Sequence, residues 1–282
     1  MPEPDAPLRR IWLCADDYGL SPGVNDAIRD LLARGRINST SAMVVAPSLT
    51  QDEADRLLAL KADNPAIAIG LHVTLTAPFA PMTYGYAPLA GGLFLPVGAK
   101  LRTALTRRLD PACVATEVKA QIDRFGAIFG TAPDFVDGHQ HVQIFPQVRH
   151  ALLDMVARDL PGVWVRQCGR VMPWRARLAD RKGLVLDAMS AGFRKAAAQR
   201  GVTVNPGFAG SYDFTQGPDF ARLFPQFLDR LPDGGVVMCH PGFVDDELRR
   251  LDPLTDLRAA EHAYFASDAF AELLKHRRVT LS

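Results

Sequence analysis

Two adjacent carboxylates, Asp16 and Asp17, and a dense acid and imidazole cluster, Asp137-Gly138-His139-Gln140-His141, are the residues whose types and spacing best suit a divalent cation. Carboxylate oxygens and neutral imidazole nitrogens are the donors such ions take where no cysteine pair is offered. Asp16-Asp17 ends the apolar run from Ile11 to Ala15 and precedes Tyr18-Gly19-Leu20-Ser21. Both acids therefore emerge at a tight turn, where one can bind an ion while the other faces a substrate. A single Asp there would read as a cap on the next helix. A pair is harder to explain in that way, because two carboxylates desolvated together repel unless a cation or a basic residue balances them.

His72 stands in the apolar run Ala68-Ile69-Gly70-Leu71-His72-Val73-Thr74-Leu75, where a charged imidazolium is costly. A neutral ring there is either a ligand or a hydrogen-bonded core histidine. If the segment from Asp137 to His141 stays extended, alternate residues share a face, and Asp137, His139 and His141 look into one cavity. His139 is then the candidate ligand, with Asp137 or His141 supporting it or touching substrate. The bland alternative is a turn with surface histidines. His240, in Cys239-His240-Pro241-Gly242, is projected at a proline-fixed bend, a presentation that suits a general acid but also an ordinary turn. Arg166, after Val163-Trp164-Val165, either balances the carboxylate pair, orients a substrate, or is a surface arginine. His150, His262 and His276 fall on helical patterns and are expected to face solvent.

Positioning these groups requires elements that end at a common face. Short β-like runs alternate with helical patterns along the chain, the signature of a parallel α/β fold. Strands are expected at residues 11–15, 41–45, 66–73, 134–137, 163–166, 202–204, 235–239 and 278–281, about eight by pattern. Helical patterns cover residues 52–60, 112–129, 145–158, 220–231 and 256–275. Ser21-Pro22 supplies an N-cap with proline at the first helical position, and Gly35 closes the helix that Val24, Ala27, Ile28, Leu31 and Leu32 outline. Asp16, Asp17, His72, His139, Arg166 and His240 each fall at or just past a strand's C-terminal end, the face on which barrels build their sites. An α/β fold with an irregular (β/α) barrel, one domain over residues 1–282, is the expectation. Two stretches break the rhythm: residues 77–100, rich in Pro and Gly, and 205–214, whose turn residues and aromatics suit a carbohydrate-facing loop.

The totals narrow the partners. With 32 basic and 31 acidic residues and no run of five like charges, nucleic acid and anionic membranes have no electrostatic footprint. The first apolar stretch is too short for a signal peptide or a spanning helix, so a cytoplasmic location is expected. Four dispersed cysteines without a CxxC pair read as reduced packing thiols. No GxSxG elbow, phosphate loop or GxGxxG fingerprint appears.

Taken together, Ala15-Asp-Asp-Tyr-Gly-Leu-Ser21 with Val24-Asn25, Ser39-Thr-Ser-Ala-Met-Val44, Ile69-Gly-Leu-His72, Asp137-Gly-His-Gln-His141 with Pro146, and Val237-Met-Cys-His-Pro241 resemble the YdjC-like family. That family includes chitooligosaccharide deacetylases and a deacetylase associated with hopanoid biosynthesis. Tyr18 stands where phenylalanine is commoner, and Gly138 and Gln140 replace frequent Ser and His, none of them a residue to which the family assigns chemistry. The resemblance implies a barrel related to polysaccharide deacetylases, with Asp17, His72 and His139 as metal ligands, Asp16 as base and His240 as acid. It also implies an N-acetylated sugar or glycoconjugate as substrate, with acetate released. Two imidazoles and a carboxylate suit zinc, and with extra waters the same set takes magnesium, manganese or cobalt. A metal-dependent phosphoesterase and an inactive sugar-binding barrel are the competing expectations, and a homodimer is left open.

Overall fold

The structure, a computed structural model, describes residues 7–171, 181–212, 217 and 219–281. Its strands are β1 (Arg9–Arg10), β2 (Trp12–Tyr18), β3 (Ser39–Ala42), β4 (Ala68–Val73), β5 (Leu89–Ala90), β6 (Leu93–Phe94), β7 (Phe135–Gly138), β8 (Trp164–Val165), β9 (Phe208–Ala209), β10 (Val236–Cys239) and β11 (Val279–Thr280). Strands β3, β4, β7 and β10 are buried at every position, as continuous apolar and small-residue runs predict for a parallel sheet covered on both faces. Seven strands form that sheet in the order β8-β7-β4-β3-β2-β10-β9, all parallel. Parallel bridges Val165↔Val204 and Arg170↔Phe208 link its two ends, so the sheet curls into an irregular barrel.

Helices α1 (Pro22–Ala33), α2 (Gln51–Asp63), α3 (Val97–Leu105), α4 (Pro111–Phe129) and α5 (Val148–Asp159) precede a further five among the described residues. Helix α1 begins where its sequence says it should: Ser21 Oγ accepts from Val24 N at 3.3 Å, Pro22 opens the first turn, and Gly35 follows at φ 62°. Its buried stripe is Val24, Ala27, Ile28, Leu31 and Leu32. Each large aliphatic there contributes roughly 1.5–3 kcal/mol, against about 1 kcal/mol for the cap. Packing holds the helix and the cap sets its start.

Several expected boundaries change. Of the strand expected at 278–281 only Val279–Thr280 forms, as β11, which pairs with β1 outside the barrel sheet. Of residues 202–204 only Val204 makes a bridge, and β9 instead lies in the stretch read as irregular. The remainder of that stretch reaches residues 213 and 214, outside the described residues. The single helix expected at 256–275 is two, Asp256–Ala266 and Asp268–His276, because Ser267 caps the second by accepting from Phe270 N. Residues 77–100 contain the β5–β6 hairpin and the start of α3. No described helix is long and apolar enough to cross a membrane.

Candidate active site

The C-terminal end of β2 is where the two aspartates acquire a common direction. Successive residues of a regular strand point to opposite faces. Here Ala15 pairs with Thr40 and Tyr18 with Ala42, so β2 carries one residue more than β3 over this interval, a β-bulge, and Asp17 sits at φ 71°. Asp tolerates the left-handed region better than most side chains. The bulge brings Asp16 and Asp17, each only 2% exposed, into one buried centre.

Asp16 is gripped from one side. Arg166 Nη1 and Nη2 each donate to one of its oxygens at 2.7 Å, and Nη2 also lies 2.6 Å from Asp137 Oδ2. Burial pushes the Asp16 carboxyl up, but the fully buried Arg166 guanidinium more than offsets this and holds it below the usual carboxylate range. Arg166 is therefore the balancing charge rather than a surface arginine.

Asp17 faces different partners. Its Oδ1 meets His139 Nδ1 at 2.9 Å and His72 Nε2 at 3.2 Å, while Arg258 Nη2 donates to its Oδ2 at 2.6 Å. Burial again opposes ionisation, and Arg258 with His139 reverses it, so Asp17 stays charged. His72 is opposite Asp137 in the β4–β7 register, and its Nδ1 lies 2.6 Å from Asp137 Oδ1 and 3.0 Å from Ser41 Oγ. Desolvation alone would lower the His72 pKa; Asp137, followed by Asp17 and Asp16, pushes it up to about 10. An imidazole whose Nδ1 is fixed by a carboxylate presents Nε2 in one orientation, the usual support for a metal-bound histidine. Asp137 provides that support, though behind His72 rather than His139.

The donor atoms of Asp17, His72 and His139 all lie within 4.8 Å of one another. One carboxylate oxygen and two imidazoles, one of them carboxylate-backed, fit a single divalent ion and leave coordination positions for water or substrate. A second cluster, Cys14, Asp16 and Asp137, is equally compact. There the Arg166 guanidinium already spans both carboxylates, and burial keeps the Cys14 thiol protonated, so the demand for positive charge is met.

The remaining expected residues divide. Cys239 pairs with Ala15, so His240 follows at the level of Asp16. Its backbone N–H donates to Glu261 Oε2 at 2.5 Å, and Tyr212 donates to Glu261 Oε1 at 2.8 Å. His141 is not carried by an extended strand. The chain turns after Gly138 into the 3₁₀ segment His139–Ile144, with Gln140 and His141 at φ 54° and 60°, which defeats the extended alternation expected there. The His141 ring instead lies 3.5 Å from Cys168 Sγ and packs edge-on against Phe208. Burial and then Arg166 lower its pKa to about 3, leaving it neutral. His262, expected in solvent, is half-buried and bonded to Asp30 at 2.9 Å, whereas His150 and His276 are exposed.

Arg258, Glu261 and Asp252 were not singled out from the sequence. A signal existed: Arg258, Glu261 and Phe265 are the buried residues of helix Asp256–Ala266, a three- and four-residue spacing in which charges occupy the core-facing stripe. A cavity of about 420 Å³ at the opposite, strand-N-terminal end is lined by Arg36, Asn38, Asn64 and Phe270 among others, without a carboxylate, imidazole or thiol.

Residues 10–276 match the family model described as YdjC-like protein. The chain is 29% identical over 241 residues to proteins named chitooligosaccharide deacetylase from Yersinia pestis and Yersinia pseudotuberculosis, covering 83% of this chain and 82% of theirs. A crystal structure from Enterococcus faecalis, described provisionally as a cellobiose-phosphate cleavage protein, superposes with TM-score 0.76 at 20% identity over 98% of this chain and 97% of that one. An uncharacterized Agrobacterium tumefaciens protein follows at TM-score 0.52 and 14% identity, over 99% and 89%. At such identities the structural likeness establishes the fold alone. With the family model spanning nearly its whole length, the chain belongs to the YdjC-like protein family.

Proposed function

We propose that this protein is a divalent-metal-dependent hydrolase that removes the N-acetyl group from an amino sugar, an oligosaccharide or a glycosylated lipid precursor, releasing acetate. The observation that carries this reading is the convergence of Asp17, His72 and His139 beside a second carboxylate, Asp16, that Arg166 keeps ionised. Relatives named chitooligosaccharide deacetylase support the substrate class.

Asp17, His72 and His139 would hold the ion, which would supply Lewis acidity toward an amide carbonyl and a water molecule. Asp16 takes the proton of the attacking water. Arg166 fixes both Asp16 oxygens, so the base acts from one direction and is ready at neutral pH. His240, at the level of Asp16, returns a proton to the departing amine. Glu261 holds the His240 backbone, and with it the bend that aims the ring. His141, neutral, is a contact for the sugar rather than a proton carrier. Two imidazoles favour zinc, while magnesium, manganese and cobalt are compatible with the same donors. A two-ion phosphoesterase would need its second cation where the Arg166 guanidinium stands.

The test is acetate release from a panel of N-acetylated amino sugars and their oligosaccharides, with chelator and after re-addition of single divalent ions. Release should stop with chelator and return with one ion. Phosphate release in place of acetate from phosphorylated sugars, or acetate release indifferent to chelator, overturns the reading.

A further inference from the structure

We infer that Arg258 sets how tightly the Asp17 centre holds its ion, by confining Asp17 to one donor oxygen and placing a positive charge behind it. The inference rests on Asp17, His72 and His139 being the ligand set. Asp17 divides its oxygens: Oδ1 meets both imidazoles, and Oδ2 is taken by Arg258. Arg258 is 1% exposed and held in place along its length. Its Nη2 lies 2.5 Å from Asp252, its Nε donates to Leu254 O at 3.1 Å, and its own carbonyl accepts from Gly242 N at 3.1 Å. The guanidinium is therefore anchored on Oδ2 and keeps that oxygen from two-oxygen ligation.

The charges give the sign of the effect. Arg258 neutralises the one carboxylate among the three donors, so a divalent ion at Oδ1 faces a carboxylate already compensated from behind. In a buried setting this repulsion outweighs the roughly ten- to hundredfold that orienting a ligand is worth. Asp252 works in the opposite sense. It shares Arg258 with Asp17 and draws off part of that charge, so losing Asp252 places the whole guanidinium on Asp17.

The experiment is calorimetric titration of the metal-stripped protein with zinc, together with cobalt(II) absorption spectra. Arg258→Met should bind zinc about tenfold more tightly or better, and its cobalt spectrum should shift toward higher coordination as Oδ2 is freed. Asp252→Asn should bind zinc about three- to tenfold more weakly. If Arg258 were only a brace, both variants would bind more weakly, and that result overturns the inference. Should Arg258→Met fail to fold, Arg258→Gln, which also removes the charge, replaces it, and unchanged or weaker zinc binding by that variant overturns the inference. Wild-type protein that takes up no zinc or cobalt contradicts the ligand set itself, which is a separate result.

Discussion

Asp16 and Asp17 are chain neighbours, equally buried on one bulge, yet they sit in two differently built halves of the site. On the Asp16 side, Arg166 bridges Asp16 and Asp137 through short ion pairs, and Asp137 also meets His72 Nδ1. On the Asp17 side, one oxygen is given to Arg258 while the other meets two imidazole nitrogens. The first half is closed by a fixed guanidinium and has no opening for a cation. The second brings a carboxylate oxygen and two imidazole nitrogens to one point. Burial is the same in both, so burial does not set the proposed base apart from the proposed ligand; the groups that face each carboxylate do.

The largest effect should come from breaking the Asp17 half. Asp17→Ala leaves Arg258 paired with Asp252, so the fold should persist while kcat/KM for N-acetyl hydrolysis falls by roughly 10³-fold or more, measured by acetate release. Asp16→Asn, which is nearly isosteric, should cost about 10²- to 10⁴-fold in kcat; a loss confined to KM would contradict its role as base. His240→Ala should slow substrates with poor leaving groups by about 10²-fold or more and activated acetyl compounds much less. Equal slowing of both would remove it as the acid. Arg166→Met probes the closed half through stability, because it strands two buried carboxylates. Unfolding by denaturant should show a loss of about 3–5 kcal/mol, and a loss below about 1 kcal/mol would mean the pairs are not buried as described. The smallest effect belongs to His141→Gln, with metal content unchanged and kcat/KM lowered by less than about tenfold. A loss of metal in that variant would place His141 in the ligand set after all.

The site was legible where its residues end apolar strands. Asp16, Asp17, His72, Asp137 and Arg166 each end or interrupt an apolar run, and a charge at such a place calls for a partner, though Arg166 also fitted a surface arginine. Which partner each would find was not legible. That depends on the bulge at Asp17 and on the β4–β7 register that sets Asp137 beside His72, both products of strand pairing across the sheet. The backbone around His141 was not legible, because an extended segment was expected where the chain turns at Gln140. Arg258 and Glu261 stayed hidden for a different reason. They lie more than 200 positions from Asp17 on a helix whose polar residues resemble a solvated face, and only the packing of Asp256–Ala266 against the bend after His240 makes that face internal. In the fold, the strand runs that became β2, β4, β7 and β10 were evident, whereas β9, two residues long, was lost among turn residues.

The claim that the two aspartates divide the work is tested most directly by metal content. Wild type, Asp16→Asn and Asp17→Ala are purified identically, stripped with chelator, reloaded with one divalent ion and analysed for bound metal per chain. The account predicts one equivalent in wild type and in Asp16→Asn and essentially none in Asp17→Ala. Equal occupancy in all three, or loss in Asp16→Asn with retention in Asp17→Ala, would contradict it.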